Sequence, residues 1–149
     1  MHITTFSKVQ MNPLCPKQEE IRIEDIAHAQ SLMTRANGHF PEFYSVGQHS
    51  IACAREAIVR NYSSRVVLAC LLHDGSEAYL SDITRPVKGE LSEYRRIEKN
   101  MQDAISVRFL DRYLPTKRCP ILRTLITPAY IMNLIIIWEK NSWNRLLFS

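Results

Sequence analysis

An apolar run, Val66-Val67-Leu68-Ala69-Cys70-Leu71-Leu72, leads directly into His73-Asp74. The run is long and regular enough to be a buried helix. Ionisable groups carried inward by such a helix cost several kcal/mol unless something pairs with them. A divalent metal ion is one partner that holds both. Adjacent helical positions lie about 100° apart, so His73 and Asp74 can grip one ion from two sides. Glu77 falls one turn beyond His73, on nearly the same face. It is placed to handle a proton on an attacking water. The plain alternative is a surface pair on a helix, since a His-Asp dipeptide arises often by chance. The remainder of the chain has to decide between the two.

The 149 residues suit one domain with a proper core. Hydrophobic residues are 46% and charged residues 23%, the balance of a soluble globular protein. The net charge of +4 is mild and comes without a dense Lys/Arg run. That charge fits an anionic small molecule as easily as nucleic acid, but the run that marks a polyanion-binding arm is missing, so no extended nucleic acid is expected. Cys15, Cys53, Cys70 and Cys119 show no C-x-x-C spacing. Cys53 and Cys70 lie in helical apolar patterns and read as buried thiols. Reduced thiols and the lack of a signal-peptide pattern imply a cytoplasmic protein. The most apolar stretch, Ile131 to Trp138, is too short for a bilayer, which needs roughly 20 residues.

The pattern is all-α with an irregular N-terminal segment. Met1 to Glu20 contains Pro13 and Pro16 and reads as irregular or short strand. A helix is expected from Ile23 to Ala36, with Ile23, Ile26, Ala27 and Met33 on its buried face. Asn37-Gly38 stops it. Ser45 with Gln48 has the form of a capping box, and its helix carries His49 and runs to about Asn61. Ser63 or Ser64 caps a helix from Arg65 to Leu80. Short connections make these two helices antiparallel neighbours. Ser81 to Glu90 reads as a loop. Ser92 starts a helix through Leu110 with Tyr94, Ile97, Met101, Ala104 and Ile105 on one face. A last helix, from about Ile121, is interrupted at Pro128 and continues through Ile137.

His49 begins one helix and His73 comes late in the next, so the two face each other across an antiparallel hairpin. His, His and Asp can then converge on one ion. Several stretches together resemble the HD-domain metal-dependent phosphohydrolases, close to the short bacterial and phage branch similar to 5′-deoxynucleotidases. They are Ile23-Glu24-Asp25-Ile26-Ala27-His28, Arg35-Ala36-Asn37-Gly38-His39, Phe43-Tyr44-Ser45-Val46-Gly47-Gln48-His49-Ser50, Leu72-His73-Asp74-Gly75-Ser76-Glu77-Ala78-Tyr79 and Asp82-Ile83-Thr84-Arg85-Pro86-Val87-Lys88. The likeness covers about Thr5 to Leu110.

The resemblance implies a single HD-like helical bundle over residues 1–149, with His49, His73 and Asp74 holding one divalent ion. Mn, Co, Mg, Zn and Fe are not distinguished by it. It implies that Glu77 stands beside the attacking water, that Asp82 meets the sugar hydroxyls, and that Arg35 lies near the substrate phosphate. His39, Arg85 and Lys88 are further substrate contacts. The implied substrate is a small nucleotide, most simply a (deoxy)nucleoside 5′-monophosphate, with no membrane partner. The family's fourth ligand is an aspartate on a later helix; Asn133 stands nearest to that place, and an amide brings no charge. The chain also stops 16 residues after it (149 − 133), as a truncated or frame-shifted ending would. Two further expectations follow from this departure, a weakened nucleotide- or metal-binding relative and a homodimer formed through the apolar tail. The resemblance to the phage branch also leaves a (deoxy)nucleoside triphosphate hydrolase as an alternative.

Overall fold

The computed structural model describes residues 1–111 and Thr124. The last expected helix, Asn133 and the apolar tail lie outside the described residues. The chain is mostly helical. Strands β1 (Ile3–Thr4) and β2 (Gln10–Met11) come first, followed by helices α1 (Ile23–Leu32), α2 (Val46–Val59), α3 (Ser64–Leu72), α4 (Glu77–Leu80), α5 (Arg85–Glu90) and α6 (Ser92–Leu110). Among the described residues no helix is long and apolar enough to cross a membrane.

The N-terminal segment is the expected short-strand piece. β1 and β2 pair antiparallel, Ile3 with Met11 and Thr4 with Gln10. Asp25, in the first turn of α1, fastens this hairpin: the Ser7 amide donates to Oδ1 at 2.6 Å and the Ser7 hydroxyl to Oδ2 at 2.8 Å. That attachment rotates α1 from its expected face. Asp25, Ile26 and Gln30 are buried, while Ile23 and Ala27 are exposed. A hydrogen-bonded carboxylate outcompetes two aliphatic positions for the interior.

The capping box forms as expected. The Gln48 amide donates to Ser45 Oγ at 3.0 Å, and the Ser45 amide donates to Gln48 Oε1 at 2.7 Å. α2 then buries Val46, His49, Ser50, Cys53, Ala54 and Ala57. Cys53, Ala54 and Ala57 are small, so α3 approaches closely through Ala69 and Cys70, and Leu110 closes the cluster. The larger Ile51 and Ile58 stay exposed. A second cluster gathers Met11, Ile21, Ile26, Leu72, Tyr79, Met101 and Ile105. The two clusters meet at Leu68.

Three boundaries differ from expectation. α1 ends at Leu32, because Thr34 bridges Ser45 in extended form and the Val46 amide bonds the Met33 carbonyl. The helix expected over Arg65 to Leu80 breaks after Leu72. Residues 73–76 form tight turns with i→i−3 bonds from Gly75 to Leu72 and from Glu77 to Asp74, both 3.0 Å. The expected Ser81 to Glu90 loop contains α5, with Pro86 at its start, where a missing N–H costs nothing. Gly75 earns its place at the break: a Cβ there would meet the Leu72 carbonyl at 3.1 Å and Ile105 Cδ1 at 3.3 Å.

Candidate metal and phosphate site

His49 sits in the first turns of α2, and His73 caps the C-terminal end of α3. The antiparallel pairing of α2 with α3 brings the rings to a centroid separation of 5.2 Å, inclined at 66°. Both are buried, at 0% and 2% exposure. One donor atom from each of His49, Cys53 and His73 lies within 4.8 Å of the others.

The tautomer of His73 follows from its surroundings. Nδ1 lies 2.7 Å from the Cys70 carbonyl oxygen. A carbonyl only accepts, so Nδ1 carries a proton, and Nε2 is the nitrogen left to face the site. That Nε2 is buried and has no hydrogen-bond partner among the described residues. It stands 3.1 Å from Asp74 Oδ2, close but not aligned as a hydrogen bond. A buried ring nitrogen facing a carboxylate oxygen at this distance needs a positive charge between them, a proton or a metal cation. The backbone carbonyl behind the ring is the orienting partner that metal-binding histidines ordinarily have. His49 is pushed down to about 3, first by burial, then by His73 and Arg35, against the opposing pull of Asp74. Its ring is therefore neutral and able to ligate. These residues fit a divalent ion.

Beside the histidines lies a network of six charged side chains. Arg35 Nη1 donates to Asp74 Oδ2 at 3.0 Å, to Glu77 Oε2 at 3.4 Å and to Asp82 Oδ2 at 3.4 Å. Lys88 Nζ lies 2.7 Å from Glu98 Oε1 and 3.5 Å from Glu77 Oε1. Four acids and two bases leave a formal charge of −2 when all are ionised. Glu77 absorbs the imbalance. Burial, then Asp74 and Asp82, raise it to about 9, against the opposing pull of Arg35 and Lys88. Arg35 is itself raised: its burial opposes this, but Asp74, Glu77 and Asp82 together outweigh it.

Arg35 arrives from a closed excursion of the chain. The Thr34–Ser45 bridge and the bond from the Arg35 amide to the Tyr44 carbonyl, 2.8 Å, pin its two ends. Inside it, Ala36 and Asn37 take left-handed conformations with φ of 52°. A cavity of about 160 Å³ opens there, lined by Thr34, Arg35, Phe40, Phe43 and Tyr44 among others.

The structure thus gathers His49, His73, Asp74, Glu77, Arg35, Asp82 and Lys88. His39 and Arg85 are exposed, and neither bonds to the cluster through its side chain among the described residues. Three contributors escaped the sequence reading. Cys53 stands one turn after His49, its Sγ 3.7 Å from His49 Nε2. Glu98 pairs with Lys88. Gln102 clamps the turn that carries His73 and Asp74: its Nε2 donates to the Leu72 carbonyl at 2.7 Å, and its Oε1 accepts from the Ser76 amide at 3.0 Å. Glu98 and Gln102 share a signal with Ser106: polar residues at i, i+4 and i+8 on α6, all buried.

No family model matches the chain. It is 34% identical over 92 residues to the uncharacterized protein YfdR of Escherichia coli, covering 62% of this chain and 49% of that protein. It is 34% identical over 123 residues to an uncharacterized protein of Rhodobacter capsulatus, covering 78% of this chain and 61% of that one. The chain therefore spans about half to three fifths of the length of these relatives.

Proposed function

We propose that this chain is a divalent-metal-dependent hydrolase of nucleotide phosphate esters built on an HD-like domain, acting on a (deoxy)nucleoside 5′-monophosphate. The observation that carries the reading is the buried, unpartnered Nε2 of His73, 3.1 Å from Asp74 Oδ2 and across from His49. His49, His73 and Asp74 hold the ion. When bound, the ion supplies Lewis acidity toward the phosphoryl oxygens and activates water. Glu77, with its raised proton affinity, takes or returns a proton at its carboxylate oxygens during attack and departure. Arg35 swings part of its guanidinium from the carboxylates to the phosphate, which it fits with two prongs. Lys88 keeps Glu77 and Glu98 neutralised while it does so. Asp82 accepts from a sugar hydroxyl.

One observation favours a weaker relative that binds without efficient turnover: Arg35 is already committed to three carboxylates, which an incoming phosphate must displace. The purified chain, screened against nucleoside mono-, di- and triphosphates with Mn²⁺, Co²⁺ and Mg²⁺, separates these readings. Release of inorganic phosphate from monophosphates is the expected result. Release of pyrophosphate or triphosphate instead makes the substrate a triphosphate. Metal binding with no turnover leaves the binding relative, and neither metal nor turnover overturns the proposal.

A further inference from the structure

The metal-binding reading above leaves one donor of the cluster without a role. Cys53 is fully buried and lies on the same face of α2 as His49, one turn on. Its Sγ is 3.7 Å from His49 Nε2. Zinc–nitrogen and zinc–sulfur bonds of about 2.0 and 2.3 Å at a tetrahedral angle put a nitrogen and a sulfur ligand about 3.5 Å apart. The observed separation therefore matches two ligands of one ion. A second observation points to the same space: the buried and unpartnered His73 Nε2, whose ring belongs to the same three-donor group.

We propose that Cys53 is a metal ligand, so that the imidazoles of His49 and His73 and the Cys53 thiolate surround the ion, with the Asp74 carboxylate next to His73 Nε2. The inference rests on the proposal that His49, His73 and Asp74 hold a divalent ion. It adds what that ion is. A nitrogen–sulfur donor set selects zinc or cobalt(II) over magnesium and manganese, which prefer oxygen. It also closes the charge: with Asp74, the thiolate gives the site two anionic ligands for a divalent ion. The thiol proton leaves to solvent as the sulfur–metal bond forms, one proton per ion.

The metal-free full-length chain titrated with Co²⁺ tests this directly. A thiolate-to-cobalt charge-transfer absorption in the near ultraviolet, saturating at one equivalent, is expected. It should vanish in Cys53→Ser and survive in Cys70→Ser. Zinc should displace the cobalt, and excess Mg²⁺ should not. Zinc affinity in Cys53→Ser should fall roughly 10- to 100-fold or more, the scale on which even outer partners of ligands act. Cobalt bound by the wild type with an absorption typical of nitrogen and oxygen ligands alone would overturn the cysteine assignment and leave the His–Asp site standing. So would a band that persists in a folded Cys53→Ser variant. A wild-type chain that takes up no cobalt or zinc overturns both. Because the wild-type spectrum decides ligation by itself, a Cys53→Ser chain that fails to fold does not rescue the idea; Cys53→Ala with a native circular dichroism spectrum then serves for the affinity comparison.

Discussion

His73 has one nitrogen held by the Cys70 carbonyl and the other facing a carboxylate and a second imidazole. Replacing it with Ala is expected to remove stoichiometric divalent metal, read by elemental analysis; full retention would exclude His73 as a ligand. The proposed function gives Glu77 the proton chemistry and not a place in the ligand set. Glu77→Gln should keep the metal and lower turnover by roughly 10²-fold or more, the ordinary scale of general acid–base help. Loss of metal and activity together would make Glu77 a ligand instead. Arg35→Ala should lower kcat/KM for all nucleotides alike. Asp82→Ala should alter the preference between ribose and deoxyribose substrates, and an unchanged preference removes Asp82 from the sugar contact.

At the scale of elements, the site depends on a helix that stops in the right place. α3 ends at Leu72, and the tight turns over residues 73–76 aim His73 and Asp74 at α2. Gln102 of α6 holds this turn through two buried bonds. Gln102→Leu strands the Ser76 amide and takes one of two donors from the Leu72 carbonyl, which keeps the Gly75 amide; a stranded buried group costs about 1–3 kcal/mol. Chemical denaturation should show a loss of that order. Metal affinity should fall with it, because the turn that carries His73 and Asp74, the proposed ligands, is loosened. Unchanged metal affinity in a folded Gln102→Leu protein would limit Gln102 to stability. Ser45→Ala removes the cap of α2, and a loss of about 0.5–2 kcal/mol is expected on the same measurement.

For the whole molecule, the charged network makes stability depend on pH and metal together. Glu77 is raised from 4.5 to about 9 in the fold, so its contribution is fully present below pH 4.5 and lost as pH rises through about 9. His49 is lowered from 6.5 to about 3, so the unfolded chain binds more protons between those values and stability rises with pH there. The two slopes oppose each other between pH 4.5 and 6.5. Above 6.5 only the Glu77 slope remains. The metal-free protein is therefore expected to lose stability from pH 6.5 toward 9, followed by thermal melts across that range. A bound cation lets Glu77 ionise at less cost, so saturating zinc should flatten the decline. An equally steep decline with and without metal would separate Glu77 from the ion.

Local rules were enough for much of the frame. The Ser45/Gln48 capping box, the hairpin-forming pair α2 and α3, and the long α6 all rest on interactions between residues within a few positions of each other, which a sequence displays. The short connection between α2 and α3 made the facing of His49 and His73 across that hairpin readable as well. The end of α3 was not legible, because it depends on Gln102, 30 residues away from Leu72, and on Ile105 pressing against Gly75. The buried face of α1 was set by Ser7 of the hairpin, 18 residues before Asp25. Arg35 meets Asp74, Glu77 and Asp82 across 39, 42 and 47 residues. Periodicity reports which side of a helix prefers the interior. It does not report which distant polar group will be waiting there, and in this protein those distant partners decide where the helices stop and which charges share a site.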